Sequence, residues 1–275
     1  MAASTVPGWL RGLWQRLSIE TADGDGQRDT QTQVFYLQTS SCFGDLRLPS
    51  DRPDLKLKQA SFSSLTRDNA LALSRQQGFA GIAQFEQGQC QWVRYIDYQP
   101  PQAVRDVGLL HWQDDILIEE GVDQVYREEW HKIDDGAGDY TALVLTAEDI
   151  SHQAVTWQAS LVVAGDYFIY SQNRSVALPS AETLTDCLTS ATTFDKQQDY
   201  LACEIAFGLC QSGQVPWEIQ RSTIPWREGS ALWSVSDLAI DLEQRRVLQT
   251  VAQSNTARVQ QWKIQEWGTG RAFQA

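Results

Sequence analysis

The sequence predicts an all-β protein made of two fused antiparallel β-barrels, each with one short helix. Three observations carry this. Many short runs alternate apolar and polar residues with period two, and turn residues separate them at short spacing. The run Gly88-Gln89-Cys90-Gln91-Trp92 recurs as Gly213-Gln214-Val215-Pro216-Trp217, an offset of 125 at which Phe43 also meets Phe168 and Pro100 meets Pro225. The order of strands, helix and further strands is the same in both halves, as an internal duplication requires. Evenly spaced short strands suit closed barrels, and about eight of them close around packed side chains or one small ligand.

Residues 1–7 read as a loose terminus. Gly12-Leu13-Trp14 leads into a strand over 15–20, and Asp23-Gly24-Asp25-Gly26 turns the chain. A hairpin follows, with strands at 32–38 and 42–48. In the second of these Cys42, Gly44, Leu46 and Leu48 share one face, and Phe43, Asp45 and Arg47 the other. After an irregular segment, Thr66 caps a short helix ending near Gln77, with Asp68 in its first turn and Gly78 beyond it. Strands at 79–86 and 89–97 flank Gln87-Gly88. Pro100-Pro101 breaks the chain, and strands at 108–113, 116–120 and 124–133 complete the half. The run 134–139 has two glycines and no apolar residue larger than Ala, and divides the chain into 1–136 and 137–275. In the second half, strands are expected at 140–146, 155–164 and 167–172, a helix over 181–189 capped by Ser180, a hairpin of 200–211 with 215–223, and strands at 231–235, 238–242 and 257–267.

Apolar residues make up 42% of the chain, enough for a real core. Eleven Trp need apolar walls and partners for their N–H groups, which suits barrel interiors and cavity linings. The formal net charge of −13 opposes binding to nucleic acid or anionic membrane. Five Cys without a Cys-x-x-Cys pair point to buried free thiols in a reducing cytoplasm rather than disulfides or a zinc site. The first 18 residues lack the apolar core of a signal peptide, and no run approaches the ~20 apolar residues of a membrane helix. His111, His131 and His152 have no metal-ligand spacing, so neither a metal nor another cofactor is expected. The oligomeric state is left open.

Gly12-Leu13-Trp14 at the first strand resembles the Gly-x-Trp signature of lipocalins and the wider calycin group. Further runs resemble poorly characterised double-barrel lipocalin-like proteins of bacteria and fungi: Tyr36-Leu37-Gln38, Asp45 to Pro49, Gln77 to Gly81, Cys90-x-Trp92-x-Arg94-x-x-Asp97 and Tyr126 to Trp130. The resemblance implies two lipocalin-like barrels, a Trp14 packed across the first barrel's floor, and a cation near the last strand, for which Lys132 is the nearest candidate. In the second half Lys263 or Arg258 would take that place. The family has no settled activity, so the resemblance implies a fold more than a function.

Candidate chemistry concentrates in the first half. Cys90, Trp92, Arg94 and Ile96 share one face of their strand, and Tyr126, Glu128 and Trp130 share one face of theirs. If those faces and that of Asp45 and Arg47 point inward, they form a polar pocket with an aromatic wall. The first reading is a binding protein for a small, largely apolar molecule with a polar handle. Arg47 and Arg94 anchor the handle in bidentate fashion, and Trp92, Phe43 and Trp130 form the wall. Two alternatives remain: an isomerase, cyclase or lyase using Glu128 or Asp45 for proton transfer with Tyr126 assisting, and an interaction scaffold with filled barrels, in which the same polar groups are a structural ion-pair network. Adjacent strand residues diverge, so Glu119-Glu120 reads as a hairpin end rather than a carboxyl pair.

Overall fold

The structure, a computed structural model, describes residues 5–21, 28–55, 61–146, 157–212, 215–252 and 257–274. The first half carries β1 (Gly12–Thr21), β2 (Arg28–Asp29), β3 (Gln33–Gln38), β4 (Cys42–Leu48), helix α1 (Arg67–Leu73), β5 (Gln77–Glu86), β6 (Gln89–Asp97), β7 (Val107–Gln113), β8 (Ile116–Gly121) and β9 (Tyr126–Asp134). Each strand pairs antiparallel with its neighbour, and β1 also pairs with β9. That last ladder closes an eight-stranded barrel, with β2 as an appendage on β1. Gly12 sits at the seam with φ +109°, and a Cβ there would stand 2.1 Å from the Asp134 carbonyl oxygen. Only glycine fits that crossing.

The second half carries β10 (Tyr140–Thr146), β11 (Trp157–Ala164), β12 (Tyr167–Gln172), helices α2 (Leu184–Ser190) and α3 (Phe194–Leu201), β13 (Glu204–Ser212), β14 (Val215–Ser222), β15 (Leu238–Asp241), β16 (Arg246–Ala252) and β17 (Ala257–Glu266). Its strands repeat the order of the first half, with β10 against β17 as β1 lies against β9. One ladder is missing. Strands β14 and β15 do not pair among the described residues, and the chain after β14 folds back along β14 instead, with Glu218 opposite Ala231 and the Leu232 N–H donating to the Trp217 carbonyl at 2.8 Å. The second sheet is therefore a half-barrel where the sequence suggested a second closed one.

Four further expectations are corrected. The second half has two helices. The first starts at Leu184, because Thr183 and Asp186 form a reciprocal capping box that Ser180 does not offer. The second, capped by Thr193, takes Tyr200 and Leu201 from the strand expected over 200–211. No strand forms over 231–235. On β6 the pairing with β5 slips between Ala80 and Gly81, so Ile96 turns to the outer core while Trp92 stays inside. The N-cap at Thr66 is as expected, accepting from the Asn69 N–H at 3.2 Å.

A shared core joins the two sheets. Leu46 and Leu48 of β4 pack with Val162, Ile169 and Ile205 of the second half. Phe35 stacks on Phe207 at 4.1 Å, and Tyr95 on Trp157 at 4.7 Å. Gly44 permits this approach, since a Cβ there would lie 2.5 Å from Ile169 Cγ2. Polar clasps tie the seam. Glu266 at the end of β17 accepts hydrogen bonds from the turn between β3 and β4: from Thr39 Oγ1 (2.7 Å), the Ser40 N–H (2.8 Å), the Ser41 N–H (2.8 Å) and hydroxyl (2.7 Å), and the Cys42 N–H (3.2 Å). Arg174 donates to the carbonyls of Asp97 (3.0 Å) and Tyr98 (2.7 Å).

The two interiors differ. The second is packed with rings: Trp217 lies 5.3 Å from Phe168, 5.3 Å from Trp233 and 5.1 Å from Phe273, which the C-terminal turn supplies. Trp217 has φ +55°, an outlying conformation for so large a residue. All five Cys are free and buried.

Candidate functional site: the cavity of the first barrel

The first barrel is not filled. It holds a cavity of about 520 Å³, within the range of small-molecule sites. The floor is aromatic. The turn at residues 8–10 lies across it, and Trp14 donates its indole N–H to the Leu10 carbonyl at 2.8 Å. Lys132 of β9 stands 4.7 Å from the Trp14 ring centre and donates to the carbonyls of Trp9 and Arg11. Trp112 and Trp9 extend this cluster to the surface. Higher up, Trp14, Tyr36, Phe79, Trp92 and Trp130 line the cavity. Trp92 donates to the Tyr36 hydroxyl at 2.9 Å, and that hydroxyl to Gln38.

One wall is ionic. Alternation along β4 sends Asp45 and Arg47 inward and Leu46 outward. Arg47 forks onto Asp45 (2.9 and 3.2 Å) and reaches Glu128 of β9 at 3.0 Å. Arg16 of β1 meets the same Glu128 oxygen at 2.7 Å and Asp29 at 3.2 Å. Burial pushes the Asp45 carboxyl up, against the opposing pull of Arg47. At the mouth Arg94 pairs with Asp106 (2.5 Å) and Asp97 (3.1 Å) and lies 3.5 Å over the Phe79 ring.

Glu119 of β8 extends the same wall beyond Glu128. In the ladder between β8 and β9, Glu119 stands directly across from Glu128. It accepts from the Tyr126 hydroxyl at 2.7 Å and from the Trp130 indole N–H at 3.1 Å. Burial first, then the Glu128 and Asp106 carboxylates, drive its pKa well above the ordinary glutamate value. The Tyr126 hydroxyl is raised as well, by burial and then by Glu119.

The structure thus gathers Asp45, Arg47, Trp92, Arg94, Tyr126, Glu128 and Trp130 around one cavity. Phe43 is buried behind the wall against Tyr36 and Phe79. Phe35 points out to the second half. Sequence reasoning passed over Glu119 and Arg16. Glu119 and Glu120 do diverge, but Glu119 turns inward beside Leu117. The readable signal was Leu117-x-Glu119 set in antiparallel register against Glu128-x-Trp130. His111 and His131 are exposed, and His152 lies outside the described residues.

No family model and no curated protein matches the sequence. Among solved structures, the chain is similar to the uncharacterized protein YLR301w of Saccharomyces cerevisiae. The two share 11% identity, with 94% of this chain and 98% of that one covered and a TM-score of 0.50. At that identity the likeness speaks to the fold alone.

Proposed function

We propose that the first barrel binds a small, largely apolar molecule through a polar handle, in the manner of the lipocalins its sequence resembles. The observation that carries this is the contrast between the two interiors. Residues of β4 that face the cavity, Asp45 and Arg47, correspond at the offset of 125 to Tyr170 and Gln172, and rings fill the second interior. A barrel that served only as scaffold would have no use for an open volume lined by indoles and ion pairs, since unfilled space costs packing energy. In this reading residues 1–136 form the binding domain and 137–275 a supporting one, and the five buried thiols suit a reducing cytoplasm.

The ion pairs revise which groups meet the ligand. Arg47 and Arg94 already hold carboxylates, so they order the wall, and Glu119 with Tyr126 offers the freer polar surface. The same pair favours a second reading, proton transfer within the cavity, because a carboxyl of raised pKa beside a hydroxyl is a competent acid.

The binding reading is tested with N-phenylnaphthylamine, a neutral apolar dye that fluoresces when desolvated. It should bind the wild-type protein and fail to bind Leu110→Trp, which fills the cavity from β7, while the unfolding free energy of the variant in urea stays within about 1 kcal/mol of wild type. No binding, or equal binding to a folded Leu110→Trp, overturns the reading.

A further inference from the structure

The charges around the cavity do not balance, and the imbalance has one address. Four carboxyls line it, those of Asp45, Asp106, Glu119 and Glu128, against two guanidiniums, Arg47 and Arg94, with Arg16 behind Glu128. Asp45 has Arg47, Glu128 has Arg47 and Arg16, and Asp106 has Arg94. Among the described residues Glu119 has two neutral donors, Tyr126 and Trp130, and no ion-pair partner. For a buried carboxyl facing another carboxylate, without a cation of its own, ionisation is expensive. It becomes favourable if the missing cation arrives with the ligand. The neighbouring walls suit that cation too, because indole and phenol faces attract ammonium groups.

Resting on the binding function proposed above, we infer that the polar handle of the ligand is a protonated amine, held between the Glu119 carboxyl and the aromatic rings of the cavity. A carboxylate handle fits poorly, since it would meet four carboxyls and two arginines already engaged. An alcohol would leave Glu119 without its counter-charge.

Proton linkage follows. The groups facing Glu119 are Glu128 and Tyr126 on β9, Asp106 before β7, Arg47 on β4, Tyr36 on β3 and Cys90 on β6. Their combined effect with burial lifts the Glu119 pKa, and a bound ammonium lowers it again. Amine binding therefore expels a proton in the window between the two values, and affinity rises with pH across it.

The experiment compares three probes with one body: tryptamine, tryptophol and indolepropionate, titrated by calorimetry into wild type and Glu119→Gln. Tryptamine should bind about tenfold more tightly than tryptophol, with indolepropionate weakest. Glu119→Gln keeps one acceptor, for the Trp130 indole N–H, and sets its NH₂ toward the Tyr126 hydroxyl, which can accept from it. It should abolish the preference, bringing tryptamine to the level of tryptophol measured in the same variant. Titration in phosphate and in Tris should show proton release for tryptamine alone. Equal binding of all three, or a tryptamine preference that survives Glu119→Gln, overturns the amine and leaves the cavity reading intact. If none binds while N-phenylnaphthylamine still does, the amine again falls alone. If the dye fails as well, both readings fall.

Discussion

Replacing Glu266 isolates the clasp between the two halves. Glu266→Ala removes an acceptor shared by five donors, of which the Cys42 N–H keeps Thr39 Oγ1 at 3.1 Å. The Thr39 and Ser41 hydroxyls are able to turn elsewhere, but the Ser40 and Ser41 N–H groups are fixed by the turn. An unsatisfied buried donor costs about 1–3 kcal/mol. Ser40 and Ser41 are half-buried and regain some water, so the total should be about 3 kcal/mol. Glu266→Gln is milder. Oε1 accepts four of the five bonds and Oε2 only that of Ser40, so an amide keeps most contacts and sets its NH₂ against one N–H. Its cost should be about 1–2 kcal/mol. The charge adds a pH signature. Burial raises the Glu266 pKa, but the bonds from Thr39 and Ser41 and the backbone N–H groups outweigh it and hold it below 4.5. A carboxyl with its folded pKa depressed contributes stability that is complete above the unfolded value and is lost as pH falls through the folded one. Wild type and Glu266→Gln should therefore converge in stability as pH falls from the unfolded glutamate value through the lower folded one. Urea unfolding followed by circular dichroism at neutral and acid pH measures all three quantities. A loss under about 1 kcal/mol for the Ala variant, or equal losses for Ala and Gln, would refute the reasoning.

Other perturbations probe other links. Gly44→Ala should cost about 1–3 kcal/mol by overpacking against Ile169, and Ile169→Ala in the same chain should recover part of that, as a double-mutant cycle in urea would show. Arg47→Leu leaves Asp45 buried without its cation and should cost about 3–5 kcal/mol, while the Asp45→Leu/Arg47→Leu pair should recover most of the loss; equal losses would mean that the pair is not coupled. Burial pushes the Cys42 thiol up to about 12 and the Cys203 thiol to about 11, so a disulfide reagent should label neither in the native protein and both in urea. Trp217→Ala should cost about 3–5 kcal/mol and leave N-phenylnaphthylamine binding unchanged in the folded variant.

The sequence made the first barrel legible because period-two alternation survives on β4 and β9, where one face meets the cavity and the other the shared core. Asp45 and Arg47 could be placed on one face for that reason alone. What alternation could not give was partner and direction. Whether that face was inside depended on Leu46 and Leu48 finding a second sheet, which is a tertiary fact. Arg16 lies two residues from Trp14 on one face, but what gives it meaning is its partners Glu128 and Asp29, which sit on other strands. Glu119 was hidden by reading one strand at a time, since its meaning comes from the cross-strand neighbour Glu128. The open seam of the second half was illegible because the chain after Ser222 leaves the sheet without a change in composition. The helix at Phe194 was missed because its sequence is mostly polar and only Leu201 reaches the core.

The account turns on the claim that the first barrel carries a guest. Native mass spectrometry of the protein purified from its own cells tests it most directly. The account predicts one non-covalent adduct, small enough for about 520 Å³, that vanishes on denaturation and is absent from Leu110→Trp. A bare mass under the gentlest ionisation, or an adduct that Leu110→Trp retains, would contradict it.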